Sequence, residues 1–227
     1  MIPHFDSATE AETGQTVDDD KALATLWHSL TSGSSKIVDV FSTSDRLGMV
    51  VASHVGASAG PVAERDLGVL ERVMISAQQK SVGFDVRVSP AGLNRILMRA
   101  LAHLGLDCTP SRLPLLLVVA AHAARTPGAI CSVRVGTQRA DGALYQSVTL
   151  HDATAWLQAR LTPSQSKIAN LLIEGKTHAE IADRCNIVKR TVANHLAAVY
   201  GELRLSGRLA LLSRLATDYV RGDVPYC

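Results

Sequence analysis

The order of apolar and polar positions along this chain predicts a helix-dominated α+β protein. Leu23, Leu26, Trp27 and Leu30 recur at the spacing of one helix face over residues 21–32, and Gly33 is placed to end that helix. Ile37 to Phe41 and Met49 to Ser53 are short apolar runs separated by a Ser/Thr/Asp/Gly stretch, which predicts a β-hairpin. From Val62 to Ala124 the period becomes helical. Leu67, Leu70, Val73 and Met74 form one stripe, and Leu93, Ile96, Leu97, Ala100, Leu101 and Leu104 form another. Ser89-Pro90 supplies an N-cap and first-turn proline between them. Arg125 to Gly128 breaks the last of these helices. A second hairpin is expected from Ala129 to Val135 and Leu144 to Leu150, turning around Arg139 to Gly142. Asp152 or Thr154 can cap a connecting helix that carries Trp156 and Leu157.

Beyond Leu161 the pattern carries its own punctuation. Thr162-Pro163-Ser164-Gln165 is a capping box ahead of Ile168, Leu171 and Leu172, and Gly175 is a left-handed stop. Thr177 to Glu180 is a second capping box, leading into Ile181 and Ala182. That helix ends near Cys185-Asn186, and a third begins at Lys189. A short helix, a turn of about four residues and a helix with basic and amide groups in its first turns is a helix-turn-helix. In that arrangement the second helix enters the major groove with its N-terminal residues foremost. Val192, Leu196, Val199 and Leu203 face the core. Lys189, Arg190, Thr191, Ala193, Asn194 and His195 are left near the groove, where Lys and Arg meet phosphates and Asn or Arg reads base edges.

These residues carry a resemblance. Leu161-Thr-Pro, Gly175-Lys-Thr-His-Ala-Glu-Ile-Ala182, Thr191-Val-Ala-Asn-His195 and Leu203-Arg-Leu-Ser206-Gly-Arg208 resemble the LuxR/GerE-type (NarL/FixJ-type) four-helix DNA-binding domain over about 60 residues. The resemblance implies a transcriptional regulator whose third helix reads DNA and whose fourth, about Gly207 to Tyr219, often forms a dimer contact. It adds Lys176, Thr177, His178 and Arg208 to the DNA-binding set. The chain departs from the family pattern at Ser164-Gln165 (usually Arg-Glu), Ala179 (usually Lys), Val188 (usually Ser) and Arg204 (commonly Gly).

Residues 62–106 lie on 161–205 with one constant offset. Val82 falls on Ile181, Gly83 on Ala182, Leu93 on Val192, Leu97 on Leu196 and Leu104 on Leu203. After a three-residue insertion, Arg112-Leu-Pro-Leu-Leu116 falls on Arg208-Leu-Ala-Leu-Leu212. This predicts a degenerate second copy of the unit. It lacks the equivalents of Thr191 and His195, keeps Arg95 and Arg99 within reach of phosphates, and is expected to serve dimerisation or positioning.

Composition refines the picture. The net charge of +2 is too small to announce nucleic-acid binding. It averages unlike parts: residues 1–20 hold six acids and no base, while residues 161–220 hold eight bases against five acids. The first twenty residues therefore read as a disordered acidic tail. The expected organisation is that tail, a helix and hairpin over 21–60, a helical unit over 61–126, a hairpin and linker helix over 127–160, and the DNA-binding domain over 161–222. No run of apolar residues is long enough to span a bilayer, and no secretory signal opens the chain, so a cytoplasmic protein is expected. Cys108, Cys131, Cys185 and Cys227 have no metal-ligand spacing and read as isolated thiols. Aromatics at 4% are too few for single-strand stacking platforms. No phosphate loop or nucleophile constellation is present, so no cofactor and no enzymatic activity are expected. The expected partner is double-stranded DNA, bound as a homodimer or together with another regulator. The alternative is a protein that pairs with another regulator and does not bind DNA alone.

Overall fold

The computed structural model describes residues 21–42, 46–54, 60–76, 79–126, 133–151 and 155–222. The acidic tail, the caps expected at Asp152 and Thr154, and Cys131 and Cys227 lie outside them. Helix α1 (Ala22–Thr31) is followed by strands β1 (Ser35–Ser42) and β2 (Arg46–His54). Helices α2 (Glu64–Ser76), α3 (Gln79–Asp85), α4 (Pro90–His103) and α5 (Leu115–Arg125) come next. A second strand pair, β3 (Val133–Ala140) and β4 (Ala143–His151), leads through the short α6 (Ala155–Gln158) into α7 (Pro163–Ile173), α8 (His178–Cys185), α9 (Lys189–Glu202) and α10 (Arg208–Arg221). The fold is mainly helical with a small antiparallel sheet.

The two hairpins join. Strands β2 and β4 pair edge to edge, from Arg46 opposite His151 to His54 opposite Ala143, giving the order β1-β2-β4-β3. The sequence separates the hairpins by more than 75 residues, so only the tertiary fold brings their edges together. The β3–β4 turn is tight: Asp141 and Gly142 have φ of 51° and 76°, the left-handed pair that a two-residue hairpin with native twist demands. One sheet face carries Leu47, Met49, Val51, Val148 and Leu150 into the core, against α1 and α5.

Helix α5 explains the most apolar stretch of the sequence. Leu115 to Ala123 are buried all round, because α1 packs on one side of the helix and α10 on another. Helix α10 lies chiefly on α5 and also on α2, and Ser213 Oγ donates to the carbonyl of Ile75 at 3.0 Å. The C-terminal helix is thus covered by this chain's own elements.

The repeat offset reappears in backbone geometry. Shifted by 99 residues, Pro90–His103 coincides with Lys189–Glu202, and α3 begins where α8 begins, residue 79 on residue 178. Arg87 and Asn186 are both left-handed, at φ 53° and 52°, as are Gly105 and Arg204 at 94° and 54°. The turn bond from Val88 N–H to Gly83 C=O (3.0 Å) has its counterpart from Ile187 to Ala182 (3.0 Å). Leu171 is only half-buried beside its buried neighbours Ile168 and Leu172, and Leu203 caps α9 half-buried. Among the described residues no helix is long and apolar enough to cross a membrane.

Candidate nucleic-acid interface

Local chemistry sets the frame of the C-terminal unit. Thr162 accepts from Gln165 N–H, and the Gln165 side chain accepts from Thr162 N–H in return, with Pro163 preset for the first turn. Gly175, at φ 96°, lets the chain turn left-handed, and Lys176 N–H donates to Leu171 C=O at 3.1 Å. A side chain at 175 would press on the Arg112 carbonyl, so glycine serves both conformation and clearance. Thr177 and Glu180 then form the second capping box at 2.7 Å and 3.2 Å. Asn186 takes the left-handed position that ends α8, and α9 starts three residues later.

On α9, Val192, Leu196 and Val199 are fully buried, while Lys189, Arg190, Ala193 and Asn194 are exposed. Those exposed positions recur at i, i+1, i+4 and i+5, so they share one outward face at the helix N-terminal half. Ala193 contributes no bulk, and its neighbour Asn194 offers a donor and an acceptor side by side. Thr191 and His195 flank the face half-buried. His178 is exposed at the start of α8. Val188 occupies the N-cap, makes no side-chain cap bond and is 67% exposed, leaving the first amides of α9 open.

Three of the ten expected DNA-binding residues have structural commitments. Thr177 bonds Glu180 within its capping box. Lys176 is half-buried, and its carbonyl accepts from Arg208 Nη1 at 3.3 Å. Arg208 itself turns inward, its other Nη donating to Leu113 C=O at 3.2 Å. Burial pushes this guanidinium down to about 10, which still leaves it protonated at neutral pH.

Sequence reasoning missed Arg112 as a site residue. Its Nε donates to Gly175 C=O at 3.2 Å and its Nη2 to Glu180 Oε1 at 3.0 Å, so a residue of the 61–126 segment holds the turn that starts α8. The signal was present, because Arg112 falls on Arg208 in the internal alignment. Hydrogen bonds from Thr177 hold the Glu180 carboxyl below the usual carboxylate range, and Arg112 adds to this. Arg99 is likewise occupied: it makes two hydrogen bonds to Asp66, which lower that carboxyl. Among the described residues no cluster of His, Cys, Asp and Glu is gathered as a metal site.

Residues 159–215 match the family model described as bacterial regulatory proteins, luxR family. No curated protein matches the chain.

Proposed function

We propose, from a chain that carries a luxR-family DNA-binding domain, that this protein is a sequence-specific transcription regulator reading the major groove with α9. The observation that carries the reading is the outward face of Lys189, Arg190, Ala193 and Asn194 on a doubly capped helix-turn-helix. Lys189 and Arg190 hold phosphates at the helix start, and Asn194 reads a base edge, adenine being the natural match for its amide. His178, Thr191 and His195 line the same approach. Arg208 and the Thr177 hydroxyl keep the unit in shape. No cofactor and no catalytic step enter this reading, and its setting is the cytoplasm, on the chromosome.

Residues 61–126 are read as a degenerate second copy of the unit. The shared helix starts and the paired left-handed residues at 87 and 186 support this. Assembly as a homodimer through α10 has little free surface to use, since α5 and α2 already cover that helix. Dimerisation therefore draws on another face, or the second copy takes its place.

The deciding experiment is duplex selection from a random pool, followed by titration at about 50 mM salt, where phosphate contacts are strongest. Binding that weakens steeply with added salt is expected. The triple substitution Lys189→Ala, Arg190→Ala, Asn194→Ala abolishes it with the fold intact. Wild-type protein that retains no duplex at low salt ends this reading. The second reading, pairing with another regulator without independent DNA binding, draws on Phe84, which is 87% exposed on α3. A stable heteromer lost in Phe84→Ala, from a protein that shifts no DNA alone, is the result that favours it.

A further inference from the structure

We propose that the first helical segment carries a second duplex-DNA surface, the exposed α3–α4 face around Lys80, Asn94 and Arg95. One chain then grips DNA at two places. This rests on the reading of α9 above and extends it to a part of the molecule that the family match does not reach.

Charge is the first observation. Residues 62–126 hold eight bases and five acids, the same balance as residues 161–220. The balance at the surface is more basic than that, because the acids are partly consumed. Asp66 is bonded by Arg99, and Glu71 is bonded by Arg125 and by the Trp27 indole N–H. Lys80, Arg87 and Arg95 are exposed and make no ion pair among the described residues. Asp85, at the far end of α3 from Lys80, is the acid on this face.

Shape is the second. Helix α4 starts with Ser89, whose hydroxyl accepts from Gly92 N–H at 3.1 Å, followed by exposed Pro90 and Ala91. Side chains this short let the first turn sit deep in a groove. The next turn presents Asn94 and Arg95 together, an amide and a guanidinium, the two groups best matched to adenine and guanine edges. Lys80 and Asn94 line one cleft with Ser206 and Gly207 at the start of α10, so the cation of α3 and the amide of α4 converge.

Connection is the third. The last helices of the two segments, α5 and α10, pack on one another. Their leading residues cross over: Arg112 reaches the start of α8, and Ser206 to Ala210 face the start of α3. The arrangement is reciprocal, each segment's last helix beginning beside the other's helix-turn-helix. Two such units, held by one core, offer two reading helices without a second chain.

The test uses the full chain and the duplex selected for it. The double substitution Lys80→Ala, Arg95→Ala is expected to weaken binding about tenfold or more near 0.1 M salt and to reduce the salt slope by roughly 1.8, or 0.9 for each lost phosphate contact. Both side chains are exposed and unpaired, so thermal unfolding should not move. Hydroxyl-radical footprinting of the one-to-one complex should protect two adjacent faces of the duplex about one helical turn apart. The variant should lose one of the two. Unchanged affinity, slope and footprint overturn the inference while α9 binding stands. Two chains per footprint with α4 outside it, or a protein partner seated on this face through Phe84, also overturn it. Absence of any wild-type binding removes both readings together.

Discussion

His122 is a polar residue in the wrong place for a purely apolar helix, and it makes stability depend on pH. It lies in the fully buried run of α5, bonded to the Met74 backbone, with Nε2 unpartnered among the described residues. Burial pushes its pKa below the ordinary histidine value. In the unfolded chain it protonates near its model value of about 6.5, whereas in the folded chain it stays neutral to lower pH. The unfolded state therefore binds more protons in this window, and stability falls as pH drops through it. Asp66 and Glu180 are shifted the other way relative to their charge and lose their contributions only at lower, carboxylate pH. Chemical denaturation from about pH 7.5 to about 5.5 should show a declining midpoint. In His122→Leu that decline should flatten. An unchanged slope in the variant would assign the dependence to another group.

At the scale of elements, legibility followed locality. The two capping boxes, the left-handed stops at Gly175 and Asn186 and the extent of α9 could all be read, because each is fixed by contacts within a few residues. The joining of the hairpins could not. Its determinants are hydrogen bonds between β2 and β4, which no local pattern encodes. The role of Arg208 was misjudged for a similar reason: sequence shows a cation at a family position, but not that its guanidinium turns toward Lys176 and Leu113. The departure at Val188 was legible, and it yields a prediction about α9. With no side chain capping its first amides, the recognition helix starts frayed relative to α8. Val188→Ser should supply the missing acceptor and raise unfolding stability by about 1 kcal/mol, read by urea denaturation. Removing a 67% exposed valine costs little against that gain. A neutral or destabilising result would mean that the α9 start is already satisfied by other groups.

For the whole molecule, the question is whether the segments seen in sequence are separate thermodynamic units. Buried side chains from Leu23 in α1 to Val220 in α10 form one continuous cluster, with α5 at its centre between α1, the sheet and α10. The helix-turn-helix is tied to the same body by Arg112 at Glu180 and by Arg208 at Leu113. A domain that borrows its covering from its neighbour cannot unfold alone without exposing the apolar sides of both α5 and α10. At roughly 25 cal/mol per Å² of apolar area, that exposure makes the half-folded state costly. The chain should therefore unfold in one transition. Leu116, 1% exposed in α5, is the probe. Leu116→Ala leaves a cavity and should cost about 2–5 kcal/mol. Fluorescence of Trp27 and Trp156, far-ultraviolet circular dichroism and loss of duplex binding should all shift together by the same amount. If binding by α9 survives after the tryptophan signal has melted, the 161–222 segment stands by itself, and the Arg112 and Arg208 bonds are contacts between independent bodies. If all three move as one, a change anywhere in α1, the sheet or α5 is felt at the reading helix. The N-terminal two thirds of the chain would then regulate DNA binding through a shared core, without a ligand pocket or a flexible linker.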